Sequence, residues 1–521
     1  MPGADSAVAE NLETLLQTAR EQNESGLGLP KYVEKEFRDF LRCGVLCYGF
    51  TKLQCEACGR TIFLAMSCKR RGCCSSCSAR RMCNTAAVVV DRVLPEVPVR
   101  QWVLSTQFEV RLLLAKNAEA FGELTRIFMD EVLGQYRRRA AKLGFANCEG
   151  GALVFQHRFG GSLNLNPHLH AVLVDGVFEK QVASDGTERV KFHAMPPQHP
   201  AELTAVAYDV YRKFAAWLRK KGLMRLADAD ETYENENALA SCLRRSLGIG
   251  QVVELTESGD VQYSQEQADE KRFALRKSPH AGEFGGFSIH AGVTVHAADK
   301  DGRERLIRYC ARPALSMERM SETSDGLIAY RLRHAQQGKA NHRVMRPIDL
   351  LARIAAIIPP PRHPLLRYFG VFGPHSSWRK LCVLSLMGST QTEATTSTSH
   401  SPDSEATRAD VDKAKHSSNP QQAATGSGAA IVEGTTQPRD PSGTNASPKL
   451  AAGVALIPWR IDWATLLKRT YDFDVLSCPC AGRLKPVELV TEAGRAKELL
   501  EQFGMSNKPP PIARARSPDW D

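Results

Sequence analysis

Nine of the fifteen cysteines lie between positions 43 and 83: Cys43, Cys47, Cys55, Cys58, Cys68, Cys73, Cys74, Cys77 and Cys83. In a chain that stays inside the cell, thiols this dense favour metal binding over disulfides. Two pairs fit ligand turns, Cys55-Glu-Ala-Cys58 and Cys74-Ser-Ser-Cys77, with fifteen residues between them. That C-x2-C-x15-C-x2-C spacing lets two tight turns offer four thiolates to one tetrahedral zinc. We therefore expect structural Zn2+ at Cys55, Cys58, Cys74 and Cys77, in a small zinc-ribbon-like domain. The leftover thiols have two readings: a second site drawn from Cys43, Cys47, Cys68 and Cys83, or small buried side chains.

Lys and Arg outnumber Asp and Glu by 68 to 58, a formal surplus of +10. Some of it sits among the thiols, as Lys69-Arg70-Arg71 and Arg80-Arg81. Cations fixed on a rigid module suit DNA phosphates, which supply most sequence-independent affinity; the competing reading is a solvated basic face. Residues 388–448 mask part of the surplus. They hold 4 Lys and Arg against 7 Asp and Glu, and no Phe, Trp or Tyr. Such a stretch cannot bury enough apolar area to offset chain entropy, so a disordered linker is expected. Outside it the surplus is +13.

No apolar run approaches the roughly 18–20 residues that span a bilayer. Met1 to Asp5 lacks the basic and apolar pattern of a secretory signal. Export and a membrane partner are therefore not expected, and no nucleotide-binding G-x-x-x-x-G-K-[ST] loop occurs.

The rest divides by periodicity. Gln101 to Thr106, Leu153 to Phe159, His168 to Phe178 and Phe287 to Val295 read as strands; Gly160-Gly161 and Asn164 to Pro167 favour a hairpin between the second and third. Ala118 to Leu143, 201–221, 236–247 and Arg303 to Arg312 read as helices, the last stopped by Pro313. Strands interrupted by helices around a hairpin predict an α+β fold with an antiparallel sheet. The expected units are a zinc-binding DNA-binding domain (1–100), a core (101–387), the linker (388–448) and a small C-terminal unit (449–521).

Asn166-Pro167-His168-Leu169-His170 carries the clearest chemistry. Strand side chains alternate, so His168 and His170 share one face and make half of a divalent-metal site. In a hairpin, Gln156 is a candidate third ligand, with His157 as its competitor; the bland reading is two surface histidines. A second constellation is Tyr309, on a short helix among Arg305, Arg308 and Arg312. A tyrosine hydroxyl attacks a phosphodiester when a metal polarises the phosphate and cations hold it.

"NLNPHLHAVLVDGVF", "GFSIHAGVTVHAADKDGRERLIRYCARPAL" and "LLARIAAIIPPPRHPLLRYFGVFGPHS" resemble the rolling-circle transposases of the insertion-sequence ninety-one family, most of all its common-region branch. "CEACGRTIFLAMSCKRRGCCSSCSARRM" is similar to that family's zinc-binding domain. The resemblance runs from about residue 30 to 380 and resumes weakly at "DWATLLKRTYDFDVLSCPC". It implies an HUH endonuclease, in which two histidines flank a bulky apolar residue, here Leu169. It further implies Mg2+ or Mn2+ on His168 and His170, Tyr309 as nucleophile, and cleavage of single-stranded DNA at transposon ends through a 5′-phosphotyrosine. Arg308 and Arg312 are candidate phosphate contacts, as are Lys69, Arg70 and Arg71; His290 has no defined role. Partners would be terminus and target DNA and a host helicase, in a cytoplasmic, nucleoid-associated setting.

Two departures stand out. Position 305 is Arg where many relatives carry a second tyrosine, which fits a single-tyrosine branch. Relatives usually end in C-P-x-C-G-G, whereas this chain has Cys478-Pro-Cys480-Ala-Gly482. The rival functions are a plasmid replication initiator or relaxase with the same chemistry, and a non-catalytic zinc-dependent regulator.

Overall fold

The N-terminal thiols frame a stiff hairpin, β1 (Phe50–Cys55) and β2 (Thr61–Ala65). Cys55 and Cys58 occupy its tip; Cys43 and Cys68 flank its base. In the computed structural model the described residues are 4–23, 26–224, 238–247, 252–255, 261–262, 279–332, 341–387, 431–432 and 461–516. The linker expected at 388–448 lies outside them, apart from Ile431–Val432, which pairs with β2.

Five further strands follow β3 (Val99–Ser105) into one sheet: β4 (Gly151–Phe159), β5 (Leu165–Val174), β6 (Ala281–Phe284), β7 (Phe287–Val295) and β8 (Leu366–Gly370). Their order is β6-β7-β3-β5-β4-β8, with every neighbour antiparallel. The fold is thus α+β with helices against antiparallel sheets. A second sheet joins the two ends of the chain, β9 (Leu484–Val490) pairing with β1.

Alternation assigns the two faces of the central sheet. Trp102, Leu104, Val154, Leu169, Ala171 and Leu173 face the Ala118–Lys142 and Pro200–Lys220 helices and are buried with Phe128 and Phe214. Each such buried large side chain contributes about 1.5–3 kcal/mol. Both helices start at their caps: the Asn117 side chain accepts from the Ala120 amide, and His199 precedes Pro200 in a capping box with Glu202. Leu153, Phe155, Val172 and Val174 face the other way, against Val89, Leu306 and Ile307. That second face carries the histidines.

The expected strand from His168 to Phe178 is interrupted. Asp175 accepts from Arg100 at 2.9 and 2.8 Å and from the Tyr136 hydroxyl at 3.0 Å, all buried. This anchor ends β5 at Val174, and residues 176–182 join a separate three-stranded sheet. The tyrosine helix (Lys300–Cys310) begins three residues before the expected Arg303. Asp299 caps it, accepting from the Gly302 amide at 2.7 Å. A Cβ at 302 would lie 2.0 Å from the Asp299 carboxylate, so a larger residue there would make the capping side chain shift. Pro313, lacking an N–H, follows its end. Among the described residues, no helix is long and apolar enough to cross a membrane.

Candidate active site and metal centres

His168 and His170 lie on one face of β5, their Nε2 atoms 3.1 Å apart. The third member is His157, not Gln156. The β4–β5 register sets His157 opposite His168 and Gln156 opposite Leu169. Directly opposed residues of an antiparallel pair point the same way, and a one-residue change of parity reverses the side. Gln156 therefore points into the opposite layer, where its amide donates to the Thr125 hydroxyl at 2.6 Å. The three histidines each bring a ring nitrogen within 4.8 Å of the others, all buried. His290 shares their face two strands from His170, through Val103, and is not in this cluster.

Each imidazole is oriented from behind. His168 donates Nδ1–H to the Asn166 carbonyl at 2.7 Å, leaving Nε2 as the electron pair. His157 donates Nε2–H to the Cys310 carbonyl at 2.6 Å, leaving Nδ1. Gln101 of β3 meets Nδ1 of His170 at 2.9 Å and the Cys310 sulfur at 3.3 Å. The Gln101 amide nitrogen faces both atoms; turned over, the carboxamide puts its oxygen toward the ring, accepts Nδ1–H and leaves Nε2 of His170 as the electron pair. Burial pushes the Cys310 thiol up to about 12, so it is a neutral S–H able to donate to the same oxygen. Such outer contacts are the ordinary means of fixing ligand tautomers.

Burial also drives His168 down to about 4, with Arg312 and Arg111 pushing the same way against the Asn166 hydrogen bond. His170 is held well below its usual range, first by burial and then by the neighbouring His157 and His168. Neutral imidazoles are the form that binds metal. The Cys310 carbonyl is one of the orphan acceptors at a helix end, where the helix dipole is negative and favours a cation.

Tyr309 stands at this helix end, 43% exposed. Its ring meets His170 edge-on at a centroid distance of 5.5 Å. The Arg312 guanidinium lies 4.6 Å from the Tyr309 ring centroid, and its buried Nη1 has no hydrogen-bond partner among the described residues. Arg308 is engaged elsewhere, in an ion pair with Glu304 at 2.5 Å. Glu304 also pairs at 2.6 Å with Arg469, from the Trp463–Tyr471 helix, and Arg469 reaches Asp91 as well.

The cysteines do not assemble as the spacing predicts. Cys74 and Cys77 join Cys43 and Cys68; Cys55 and Cys58 face Cys478 and Cys480. The reason is the hairpin: a six-residue strand runs about 20 Å, so its tip cannot share an ion with its base. At the base, the Cys43–Cys77, Cys68–Cys77 and Cys43–Cys74 sulfurs lie 3.7, 3.5 and 3.6 Å apart. The Cys68 amide donates to Cys43 and the Cys77 amide to Cys74, as in metal-binding turns. Contacts from Cys43, Cys68 and Cys74 push Cys77 toward the thiolate, while Cys43 leads those that push Cys74 and Cys68 up. Cys47 and Cys83 lie outside both sets.

The basic run is largely turned inward. Arg71 donates to the carbonyls of His363 and Pro360 at 2.8 and 2.9 Å, and Arg70 pairs with Asp39. Arg71 thus ties the base of the hairpin to the core, which withdraws it from the phosphate-binding role expected of it. Lys69 adopts a left-handed backbone, its carbonyl accepting from Arg81. Gln101 and the Cys310 carbonyl had no signal of their own in the sequence; strand parity was the signal for His157.

Residues 151–379 match the family described as "Putative transposase", and residues 14–106 match the "Transposase zinc-binding domain". The first span contains all three histidines and Tyr309; the second contains the base thiols and the hairpin. No curated protein and no solved structure matches the chain. Together the two matches support a transposase of the insertion-sequence ninety-one type, a DNA-cutting enzyme with a zinc-binding domain.

Proposed function

We propose that the protein nicks and rejoins single-stranded DNA at transposon ends by HUH chemistry, with Tyr309 as the single nucleophile. The observation that carries this reading is the edge-on meeting of the Tyr309 ring with a cluster of three buried imidazoles.

In this reading His157, His168 and His170 would hold Mg2+ or Mn2+, which would supply Lewis-acid polarisation of the scissile phosphate. Tyr309 Oη forms a bond to phosphorus as the bond to the 3′-oxygen breaks. The departing oxygen takes a proton and becomes the 3′-hydroxyl, while the phenol proton passes to solvent. One phosphoester replaces another, so the energy of the link is retained and no nucleotide is needed. Return attack by a 3′-hydroxyl frees the tyrosine. Arg312, its buried Nη1 without a partner among the described residues, suits a phosphate oxygen. Arg308, already paired with Glu304, positions the helix instead. Lys69 remains a candidate phosphate contact on the zinc-binding domain, whose ion we assign to Cys43, Cys68, Cys74 and Cys77. Strand separation falls to a host helicase.

Incubating the protein with Mn2+ and single-stranded terminus DNA should give a covalent protein–DNA adduct, absent from Tyr309→Phe. An undiminished adduct in that variant removes Tyr309 as nucleophile. No adduct from the wild-type protein favours a DNA-binding regulator.

A further inference from the structure

Cys55 and Cys58, at the hairpin tip, face Cys478 and Cys480 from the other end of the chain. The Cys55 and Cys480 sulfurs are 3.5 Å apart, those of Cys58 and Cys478 3.7 Å, and all four lie within 4.8 Å of one another. Thiolates arranged tetrahedrally around zinc at about 2.3 Å stand about 3.8 Å from each other. We propose that these four cysteines bind a second structural zinc, which staples the C-terminal segment to the N-terminal hairpin.

Both arms are built as ligand turns. Gly59, at φ +73°, donates to the Cys55 carbonyl at 2.9 Å; Ala481, at φ +62°, donates to the Cys478 carbonyl at 2.9 Å. The two arms meet at Gly482. A Cβ there would sit 2.7 Å from the Cys55 sulfur and 2.8 Å from the Ala57 Cβ, so only glycine admits this approach. The tight Cys478-Pro-Cys480 spacing still converges, because Ala481 turns left-handed and the Gly482 carbonyl accepts from the Cys478 amide at 3.0 Å. Cys55 and Cys478 are buried, Cys58 and Cys480 exposed.

The staple sits where β1 and β9 end their pairing, at Cys55 opposite Leu484, and so holds that register. The segment it secures also carries Arg469, whose contact with Glu304 reaches the tyrosine helix. Zinc at the hairpin tip thus bears on the nuclease core without belonging to it.

The test uses the full chain and does not depend on DNA cleavage. Zinc measured per chain should fall by one equivalent in Cys478→Ser/Cys480→Ser, and by a different one in Cys43→Ser/Cys74→Ser. Cys480→His, which restores a zinc ligand, should keep the equivalent that Cys480→Ser loses. In the native protein, alkylation of Cys478 and Cys480 should require a chelator. Unchanged zinc in Cys478→Ser/Cys480→Ser overturns the proposal. So does protection released by a reductant and not by a chelator, which would mean disulfides Cys55–Cys480 and Cys58–Cys478.

Discussion

The rings of His170 and Tyr309 meet at 86°, with centroids 5.5 Å apart. One comes from the middle of a sheet, the other from the last turn of a helix that crosses the same face. The latch between them is the His157–Cys310 hydrogen bond, which spends a helix-end carbonyl on orienting a histidine. The helix position and the imidazole geometry are therefore set together.

The three-histidine reading is tested by strand parity. His157→Ala should raise the Mn2+ concentration needed for half-maximal nicking by at least about 10-fold. Gln156→Leu, on the far face, should leave that requirement unchanged, although it costs stability through the Thr125 contact. The opposite pattern in a metal titration would return Gln156 to the site.

Gln101 acts through His170. Gln101→Leu should weaken metal affinity by about 10–100-fold, the usual cost of losing an outer contact. Nicking at saturating metal should stay near wild type. If the loss persists at saturation, Gln101 does more than orient the ring.

The metal-free protein should be acid-sensitive through His168. Its folded value is about 4, against about 6.5 when unfolded. The unfolded chain therefore binds the extra proton between these limits. The stability that neutral His168 provides is fully present above pH 6.5, falls through the window and is gone below pH 4, a change of about 3 kcal/mol. Urea unfolding at a series of pH values measures it, and His168→Gln should show a shallower slope. Equal slopes would assign the effect to other groups. Metal bound only to the folded state, at 100 times its Kd, should add about 2.7 kcal/mol at neutral pH.

Arg469 braces the tyrosine helix from the C-terminal segment. Arg469→Ala leaves Glu304 with Arg308 alone and should cost about 1 kcal/mol, since the pair is partly solvated. Adduct formation should slow while affinity for terminus DNA is unchanged. A double-mutant cycle with Glu304→Gln should show coupling; strict additivity would mean the contact carries nothing.

The sequence by itself determined the local chemistry. Alternation put His168 and His170 together, apolar periodicity laid down the Ala118–Lys142 helix, and Pro313 bounded the helix bearing Tyr309. Tertiary structure decided which residues meet across elements. Whether Gln156 or His157 faces the pair depends on a hairpin register that differs by one residue, and one residue reverses the face. The C-x2-C pairs read as one site because spacing counts residues, not the length of the strand between them. That strand carries Cys55 and Cys58 about 20 Å from the base thiols. Their partners, Cys478 and Cys480, lie at the far end of the chain, where no local pattern could reach them. Arg71 looked like a DNA contact until two carbonyls, of Pro360 and His363, claimed its guanidinium.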